Sequence, residues 1–445
     1  PPDGEGARGR PAQAGVGAVA MLALHPSNPR YNWYVVGMLW WISFFNYADR
    51  QAIFSVFPLL EREMHLTPVE LGLLGSSFAW VYGLCAPLAG NIVDRVRRTA
   101  AILWGLYAWS IICVATALSR NFRHLFFFRA AEGLGETFYY PASMSLISDY
   151  HSKRTRSRAM GLHQTSVYFG TIGGGFFAGL IGQHYGWRWS FVVFGGLGIL
   201  LGVALKKYLF EPQRGAAEEG VEVAPRMPIR RFLGVIWGTP TVLVLMGAFM
   251  CANFVAVVLL SWMPKFLYDR FQLSLAQAGL YATIFVQVAS MAGSPLGGWL
   301  ADTLRRRRVG GRMMVQALGV FCGAPFVFLC GRSESLALTL AVLVAWGLCK
   351  GFYDANIFAS VYDVIRPEAR GTAAGFMNMI GWLGGGFAPV IIGYLAQQYS
   401  LGTAISLAAA VYLAAGVLLV IGITAFVKRD AARAQLEPSP AAPRE

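Results

Sequence analysis

The chain has 445 residues, of which 56% are hydrophobic and 13% are charged, and it carries a formal net charge of +14. A soluble domain of ordinary composition has about a quarter of its residues charged, so this composition excludes a typical soluble globular protein and indicates a membrane protein. The six cysteines form no CxxC motif and no Cys/His cluster, and we interpret them as packing residues rather than as a metal site or a disulfide framework.

Twelve apolar runs approach the length needed to cross a bilayer, about 20 mostly apolar residues. They predict an all-α membrane protein with twelve transmembrane helices in two pseudo-symmetric six-helix bundles. We place the bundles at 31–210 and 239–428, with a cytoplasmic linker at 211–238 and disordered tails at 1–30 and 429–445. The predicted spans lie near 33–57, 70–93, 99–118, 124–148, 158–182, 188–209, 240–266, 276–301, 312–331, 336–361, 372–396 and 402–427.

Two motifs recur in the two halves of the chain. A Gly-x-x-x-Asp motif that ends at Asp94 and is followed by arginines returns at Asp302, 208 residues later. A run of three glycines also occurs once in each half, at 173–175 and at 384–386. Two similar halves, each with several membrane-length helices, are the layout of a secondary transporter. The repeat therefore predicts transport by alternating access rather than enzymatic catalysis.

The positive charge is distributed unevenly among the loops. Loops after even-numbered spans hold 20 Lys and Arg residues, whereas loops after odd-numbered spans hold 6. Basic residues concentrate in the cytoplasmic loops of membrane proteins, so we expect both termini in the cytoplasm and the protein in the cell (inner) membrane. The excess of positive charge is thereby explained by topology, and we expect no nucleic-acid partner.

Three of the predicted spans contain ionisable residues. Such groups cost several kcal/mol in a bilayer unless they are paired or face water, so each one is a candidate functional residue. They are Asp49 and Arg50 in the first span, Arg129, Glu132 and Glu136 in the fourth, and Lys350 and Asp354 in the tenth.

These charges have a structural and a functional interpretation. In the structural one they pair and hold helices together: Arg129 with Glu132 three residues on, and the tenth-span pair with itself at i,i+4. Asp49 and Arg50 point about 100° apart on a helix and do not satisfy one another, which favours function. Arg129 and Glu136, seven residues apart, share one helix face.

The charge count favours an anion moved together with protons. The three spans hold three basic and four acidic groups, a balance of −1. An anionic substrate would be repelled unless carboxyl groups take up protons, and burial favours the uncharged form of a carboxyl group. A small anionic substrate and protons as the coupling ion, with no other cofactor and no metal, are the expectation.

The repeated Gly-x-x-x-Asp motifs have a different predicted role. An acidic residue at the end of a span, followed by arginines, can interact with neighbouring helix termini and hold the cytoplasmic side shut. We therefore predict a cytoplasmic gate formed by Gly90, Asp94, Arg95, Arg98 and Asp302.

The loop Gly90-x-x-x-Asp94-Arg95-x-x-Arg98 resembles the signature of the major facilitator superfamily, and the likeness covers residues 33–427. Within the superfamily the chain is most similar to the anion:cation symporters, which carry sugar acids and other organic anions. The motifs that carry this likeness are Asn46-Tyr47-Ala48-Asp49-Arg50, the run from Arg129 to Gly133 with Gly135, Glu136 and Pro141, Gly186-Trp187-Arg188-Trp189-Ser190-Phe191 and Trp262-Met263-Pro264.

The resemblance implies proton-coupled import of an organic anion. On the matching positions it assigns protonation to Asp49 and Glu136, substrate binding to Arg50, and the role of partner for an acidic residue to Arg129. It also places substrate-contacting aromatic residues at Tyr47 and Tyr82. A monomer is expected, because each chain supplies a complete cavity.

Lys350 and Asp354 lie outside the pattern of that family. We interpret Lys350 as a second anchor for a substrate with extra charge, with Asp354 as its partner in the charge network. Polar residues also interrupt apolar spans, and of these Gln164 and Asn378 are candidates to hydrogen-bond substrate hydroxyls, although helix packing is the alternative role.

Two other classes of protein are alternatives to an anion symporter. A spinster-like exporter of lysophospholipids or amphiphilic anions shares the Asp-Arg pair of the first span and a Gly-x-Gly-Glu motif, here 133–136. A membrane-embedded enzyme or sensor is disfavoured, because the spans contain no His-rich metal cluster, no Ser/Lys dyad and no paired catalytic Asp motif. The Gly-Trp-Arg-Trp and Trp-Met-Pro motifs favour the anion symporters over the exporter.

Overall fold

A computed structural model describes residues 28, 30–152, 154–214, 234–366 and 369–436. Within these ranges the chain is almost entirely helical and contains no β-strand. Most of the predicted tail at 1–30, most of the predicted linker at 211–238 and the last nine residues lie outside the described ranges.

The N-terminal half forms six membrane-length paths. Two of these paths consist of two helices each: α1 continues into α2, and α5 continues into α6. The helices are α1 (Tyr31–Ser55), α2 (Phe57–Met64), α3 (Pro68–Val93), α4 (Arg98–Thr116), α5 (Phe122–Glu136), α6 (Tyr139–Tyr150), α7 (Arg156–Tyr185) and α8 (Trp187–Lys206).

The C-terminal half repeats this order with six further paths. A π-helix at Gly422–Phe426 continues the last of them into a final short helix. The helices are α9 (Pro240–Phe271), α10 (Leu275–Arg305), α11 (Gly311–Arg332), α12 (Leu336–Asp354), α13 (Ile357–Tyr362), α14 (Arg370–Gln398), α15 (Leu401–Ile421) and α16 (Val427–Leu436).

Nine of the described helical segments are long and apolar enough to cross a membrane. The predicted first, fourth and fifth spans fall outside this set. The first and fourth spans carry buried charges, which lower their hydropathy, and the fourth is also divided into two short helices. The least apolar paths of the N-terminal half are thus those that carry polar groups into the membrane.

The fourth and tenth spans are broken at corresponding places, where the sequence predicted continuous helices. Pro141 lacks an N–H group and its ring clashes with the carbonyl four residues earlier, so the path breaks at 137–138 between α5 and α6. In the tenth span the Asn356 amide donates to the Phe352 carbonyl (3.0 Å) and competes with the helical hydrogen bonds. Each break directly follows an acidic residue, Glu136 or Asp354.

The two glycine runs have the same packing role in each half. A Cβ added at Gly174 of α7 would lie 2.3 Å from the Ala48 carbonyl oxygen of α1. A Cβ added at Gly385 of α14 would lie 2.5 Å from the Asn253 side chain of α9. Small residues let helix backbones approach closely in lipid, so the repeated glycines hold the fifth span on the first and the eleventh span on the seventh.

The halves are in contact at one end of the molecule. We call this end the far side, and the end that carries the Arg-rich loops the basic-loop side. On the far side, a Cβ at Gly72 would lie 2.3 Å from the Pro389 carbonyl oxygen, and Gln51 donates to the Leu260 carbonyl (2.9 Å). Lys265 of α9 also forms an ion pair with Glu61 of α2. The far side is therefore closed by contacts between the halves.

The basic-loop side is open by comparison. A Cβ added at Gly90 of α3 or at Gly375 of α14 would meet no atom within 4 Å, although these two helices pack together on the far side. The ion pairs Arg98–Asp149, Arg305–Asp363 and Arg312–Asp363 at the basic-loop side each join residues of the same half. The helices α3 and α14 thus separate toward the basic-loop side.

The C-terminal end corrects one sequence prediction. Residues 429–436, predicted as part of a disordered tail, are helical in α16. The buried Asp430 carboxylate accepts hydrogen bonds from the Thr241 N–H (3.0 Å) and hydroxyl (2.8 Å) and so caps the start of α9. This tertiary contact orders a segment whose composition alone favours disorder.

The close approach of α7 and α10 gives a first prediction. A Cβ at Gly279 would lie 2.0 Å from the Gly175 carbonyl oxygen, so Gly279→Ala should force the helices apart and destabilise the fold by about 1–3 kcal/mol. Gly298→Ala on the same helix meets no atom within 4 Å and serves as the control. Thermal melting of the purified variants measures the difference, and equal melting temperatures would contradict this packing.

Candidate functional site

Arg50 lies near the end of α1 and is only 7% exposed. Its Nε–H donates to the Glu136 carboxylate across 2.6 Å, and an Nη donates to Asn46 Oδ1 across 3.1 Å. Asn46 precedes Arg50 by one helical turn of α1, whereas Glu136 is the last residue of α5. The break after Glu136 therefore places a carboxylate against the cation of the first span.

Four aromatic rings surround the Arg50 guanidinium. Its Cζ lies 4.6 Å from the Tyr47 ring centroid, 4.9 Å from Phe78 and 4.5 Å from Tyr82. The fourth ring, at 5.1 Å, is Trp382 of α14 in the other half. An aromatic face attracts a cation most strongly where water is absent. Arg50 is thus held by the N-terminal half and covered by one residue of the C-terminal half.

The family resemblance assigns substrate contact to Tyr47 and Tyr82, and the structure places both rings against Arg50. The sequence analysis did not identify Phe78 or Trp382 as neighbours of Arg50. Phe78 stacks on Tyr82, one helical turn away on α3, and that i,i+4 spacing was the available signal. Trp382 follows the candidate Asn378 by one turn, but no sequence pattern indicated that α14 would cross α3 at this point.

A second group of charges lies beside Arg50 in the N-terminal half. Arg129 forms an ion pair with Glu132, and both side chains are buried. Asp49 is fully buried, and its carboxyl oxygen, the Cys113 sulfur and a Glu132 oxygen lie within 4.8 Å of one another. Arg129 therefore pairs with Glu132, and Glu136 on the same helix pairs with Arg50.

Several polar atoms of the site have no hydrogen-bond partner among the described residues. They include Arg50 Nη1, one Glu136 oxygen and Asn46 Nδ2. Buried polar groups are nearly always hydrogen-bonded, and the exceptions mark places where a ligand or water binds. A guanidinium with a spare N–H group fits a carboxylate, which it can hold with two parallel hydrogen bonds.

The charges of the tenth span lie on the C-terminal half. Lys350 and Asp354 form an ion pair, with side chains 15% and 29% exposed. Tyr168 of α7, in the other half, lies within electrostatic range of both. The pair is thus self-neutralised, as its i,i+4 spacing predicted, and it is accessible enough to face a ligand.

The two polar candidates lie one turn from other site residues, toward the basic-loop side. Gln164 is exposed on α7, four residues before Tyr168. Asn378 is half-buried on α14, four residues before Trp382. Neither side chain has a hydrogen-bond partner among the described residues, so both remain available to a substrate.

The predicted gate residues of the N-terminal half have the following described contacts. Arg98 is buried and pairs with Asp149 and Glu211. The Asp94 carbonyl accepts a hydrogen bond from Arg214, and Arg95 is exposed. The Gly-x-x-x-Asp motif identified the loop at 90–98 but not the residues with which its side chains pair.

The C-terminal half has an equivalent network. Asp302 pairs with Arg312, which also pairs with Asp363 (2.8 Å), and Arg305 contacts Asp363 as well. Arg312 and Asp363 are 51 residues apart, the same separation as Arg98 and Asp149 in the other half. This correspondence extends the internal repeat to a tertiary ion pair. The Arg98–Asp149 pair lies within the N-terminal half, and the Arg312–Asp363 pair lies within the C-terminal half.

The sequence matches the Major Facilitator Superfamily over residues 39–347 and 265–445. The chain belongs to this superfamily. The predicted fold class is confirmed, and the chain is a multi-pass membrane protein of a family of transporters rather than enzymes.

Among curated superfamily members, a rice protein named probable anion transporter 4, chloroplastic, is 27% identical, and the match covers 77% of this chain and 60% of that protein. The D-galactonate transporter of Escherichia coli is 26% identical, with 81% and 88% covered. A solved bacterial homologue of the human lysosomal transporter Spinster, in an inward-facing conformation, superposes with a TM-score of 0.77 at 22% identity, covering 93% of this chain and all of the other. This last likeness shows the fold alone.

The contacts of Glu211 in the N-terminal ion-pair network predict how the stability of the fold depends on pH. Burial opposes ionisation of Glu211, but hydrogen bonds from the Thr99 N–H and from Arg98 hold its pKa below the ordinary value. A lowered pKa stabilises the fold above about pH 4.3, and this stabilisation is lost as the pH falls through the folded-state pKa. Glu211→Gln should therefore lower the melting temperature at pH 7.

The same variant should approach the wild type in melting temperature below about pH 4. Glu334→Gln, at an exposed ion pair with Arg270, is the control and should change little at either pH. If the melting temperature of Glu211→Gln lies below that of the wild type by the same amount at both pH values, the carboxylate charge is not what stabilises this contact.

Proposed function

We propose that this protein carries an organic anion, a sugar acid or another small carboxylate, together with protons by alternating access. The observation that carries the proposal is Arg50: a buried guanidinium between the two halves, held by the Glu136 carboxylate inside an aromatic cage. A substrate carboxylate has the same chemistry as the Glu136 side chain. It therefore competes with Glu136 for the same guanidinium.

This competition links the substrate to a proton. If Glu136 takes up a proton, it loses the charge that holds Arg50, and the guanidinium becomes available to the substrate carboxylate. When the substrate leaves, Glu136 releases the proton and pairs with Arg50 again. A buried guanidinium without a partner is strongly unfavourable, so the site favours either the substrate and proton together or neither.

The charge balance supports protons as the coupling ion. The buried cluster of the N-terminal half holds two arginines, Arg50 and Arg129, and three carboxyl groups, Asp49, Glu132 and Glu136. Its charge without bound protons is therefore −1. An added anion would increase this excess in a site of low polarity, and protonation of carboxyl groups offsets it. Asp49 and Glu136 are the residues that the family resemblance assigns to this task.

The walls of the cavity favour a hydroxylated carboxylate. Asn378 offers an amide one helical turn from Trp382, and Gln164 offers one a turn from Tyr168. The hydroxyl groups of Tyr47 and Tyr82 can also donate hydrogen bonds. The D-galactonate transporter is among the curated relatives. Lys350 offers a second cationic anchor once a substrate draws it from Asp354.

Alternating access requires the far-side contacts to separate while the basic-loop side closes. The Lys265–Glu61 ion pair and the glycine contacts of α3 with α14 must then part. We infer that Asp94 and Asp302 exchange their contacts within each half for contacts between the halves in that state. With the basic-loop side in the cytoplasm of the cell (inner) membrane, the open state seen here faces inward, and the working unit is a monomer.

The coupling role of Glu136 is tested by Glu136→Gln in proteoliposomes. The variant cannot exchange a proton, so uptake driven by a pH gradient should fall by about two orders of magnitude, while exchange of substrate across the membrane persists. Glu334→Gln should leave both activities unchanged. Loss of gradient-driven uptake, exchange and binding in equal measure would contradict the assignment of Glu136 to coupling.

The substrate role of Arg50 is tested by ligand-induced thermal shifts at pH 5.5 and 7.5. The panel contains galactonate, hexuronates, small monocarboxylates and lysophospholipids. A sugar acid should stabilise the wild type, more strongly at the lower pH, and Arg50→Ala should weaken binding by at least about tenfold through loss of charge-assisted hydrogen bonds. Stabilisation by lysophospholipids alone would replace the proposal with the spinster-like exporter.

A further inference from the structure

One carboxyl group of the N-terminal half has no cation of its own. Arg50 is paired with Glu136, and Arg129 is paired with Glu132. Asp49 is fully buried, and neither of its oxygens accepts a hydrogen bond from a described nitrogen or oxygen donor. The neighbouring Cys113 thiol donates its single hydrogen to the Phe191 carbonyl instead. An ionised Asp49 would therefore be a bare charge in the membrane interior.

The groups that face Glu132 and Asp49 come from several helices. From α5 they are Arg129 and Glu136, from α1 Arg50, and from α4 Cys113. Phe78 of α3 covers Arg129 at 4.9 Å but is uncharged. Among the described residues, Arg129 is thus the cation shared by Asp49 and Glu132.

We propose that Asp49 and Glu132 hold one proton between them throughout the transport cycle, so that the proton that moves with the substrate is carried by Glu136 alone. This inference rests on the proposed function and refines it: of the two coupling residues named there, Glu136 keeps that role and Asp49 becomes part of a proton site that does not exchange. With one proton on the Asp49–Glu132 pair, the pair and Arg129 together are neutral. Release of that proton would leave two carboxylates within 4.8 Å of each other and one guanidinium to balance them.

A transport stoichiometry follows from this arrangement. In the empty state Arg50 and Glu136 neutralise each other. In the loaded state Arg50 pairs with the substrate carboxylate, and Glu136 is neutral because it is protonated. The cluster is neutral in both states, and one proton has moved with one monocarboxylate. Uptake of such a substrate is therefore electroneutral.

The shared proton is detected without any transport assay. Infrared difference spectra of the purified protein between H2O and D2O at neutral pH should show the carbonyl stretch of a protonated carboxylic acid. The band should disappear in Asp49→Asn, because Glu132 then ionises beside Arg129. It should disappear equally in Glu132→Gln, because Asp49 then pairs with Arg129. Glu334→Gln should retain it. A wild type without the band, or a band that survives in both single variants, would overturn the inference.

Transport assays test the second part. In proteoliposomes, Glu132→Gln should keep pH-driven uptake within about threefold of wild type, since it leaves the Asp49 carboxylate for Arg129. The double variant Asp49→Asn/Glu132→Gln leaves Arg129 unpaired, and its pH-driven uptake should fall at least about a hundredfold. A membrane potential set by a potassium gradient and valinomycin should not change the rate at which a monocarboxylate is taken up. Acceleration by an inside-negative potential that vanishes in Asp49→Asn would show that the Asp49 proton moves.

Two outcomes separate this inference from the proposed function. If the wild type shows the infrared band but takes up no anion, the shared proton stands and the proposed function fails. If uptake is proton-driven but the band is absent and sodium-22 binds in a manner abolished by Glu132→Gln, the function stands and a cation replaces the shared proton. If the double variant does not fold, the single variants and the infrared comparison still decide the question.

Discussion

The ion pair between Arg50 and Glu136 is the interaction on which the rest of the structure depends. It joins the first span to the broken fourth span and lies where rings from both halves meet. A guanidinium in the membrane interior is tolerated only with a partner. The break at 137–138, the aromatic cage and the glycine contacts that bring Trp382 near α3 are all arrangements around this one charge.

The same constraint explains why the site responds to a proton and an anion together. Neutrality of a dry cluster is maintained either by a protein carboxylate or by a substrate carboxylate with the protein group protonated. Glu132 adds one more acid than the two arginines can balance, and Asp49 is the group left without a cation. Charge balance thus connects the local geometry to the number of charges that cross the membrane.

The contacts between the halves set what can move. On the far side, helices meet at glycines whose backbones touch and at the ion pair between Lys265 and Glu61. On the basic-loop side, the Arg98–Asp149 and Arg312–Asp363 networks hold each half together separately. Alternating access requires two rigid halves whose mutual contacts can break. The far-side contacts can separate without unfolding either half.

The sequence by itself determined the twelve-span fold, the two-half repeat and the charged residues of the first, fourth and tenth spans, because hydropathy and membrane burial act locally along the chain. It also determined the Lys350–Asp354 pair, whose partners lie one turn apart. Only the tertiary structure decided that Glu136 pairs with Arg50, that Arg98 is buried against Asp149 and Glu211, and that Trp382 covers the site. These partners are 51 to 332 residues apart in the chain, and no local periodicity encodes such separations. The helical end at 429–436 escaped prediction for the same reason, since its order depends on the contact between Asp430 and Thr241.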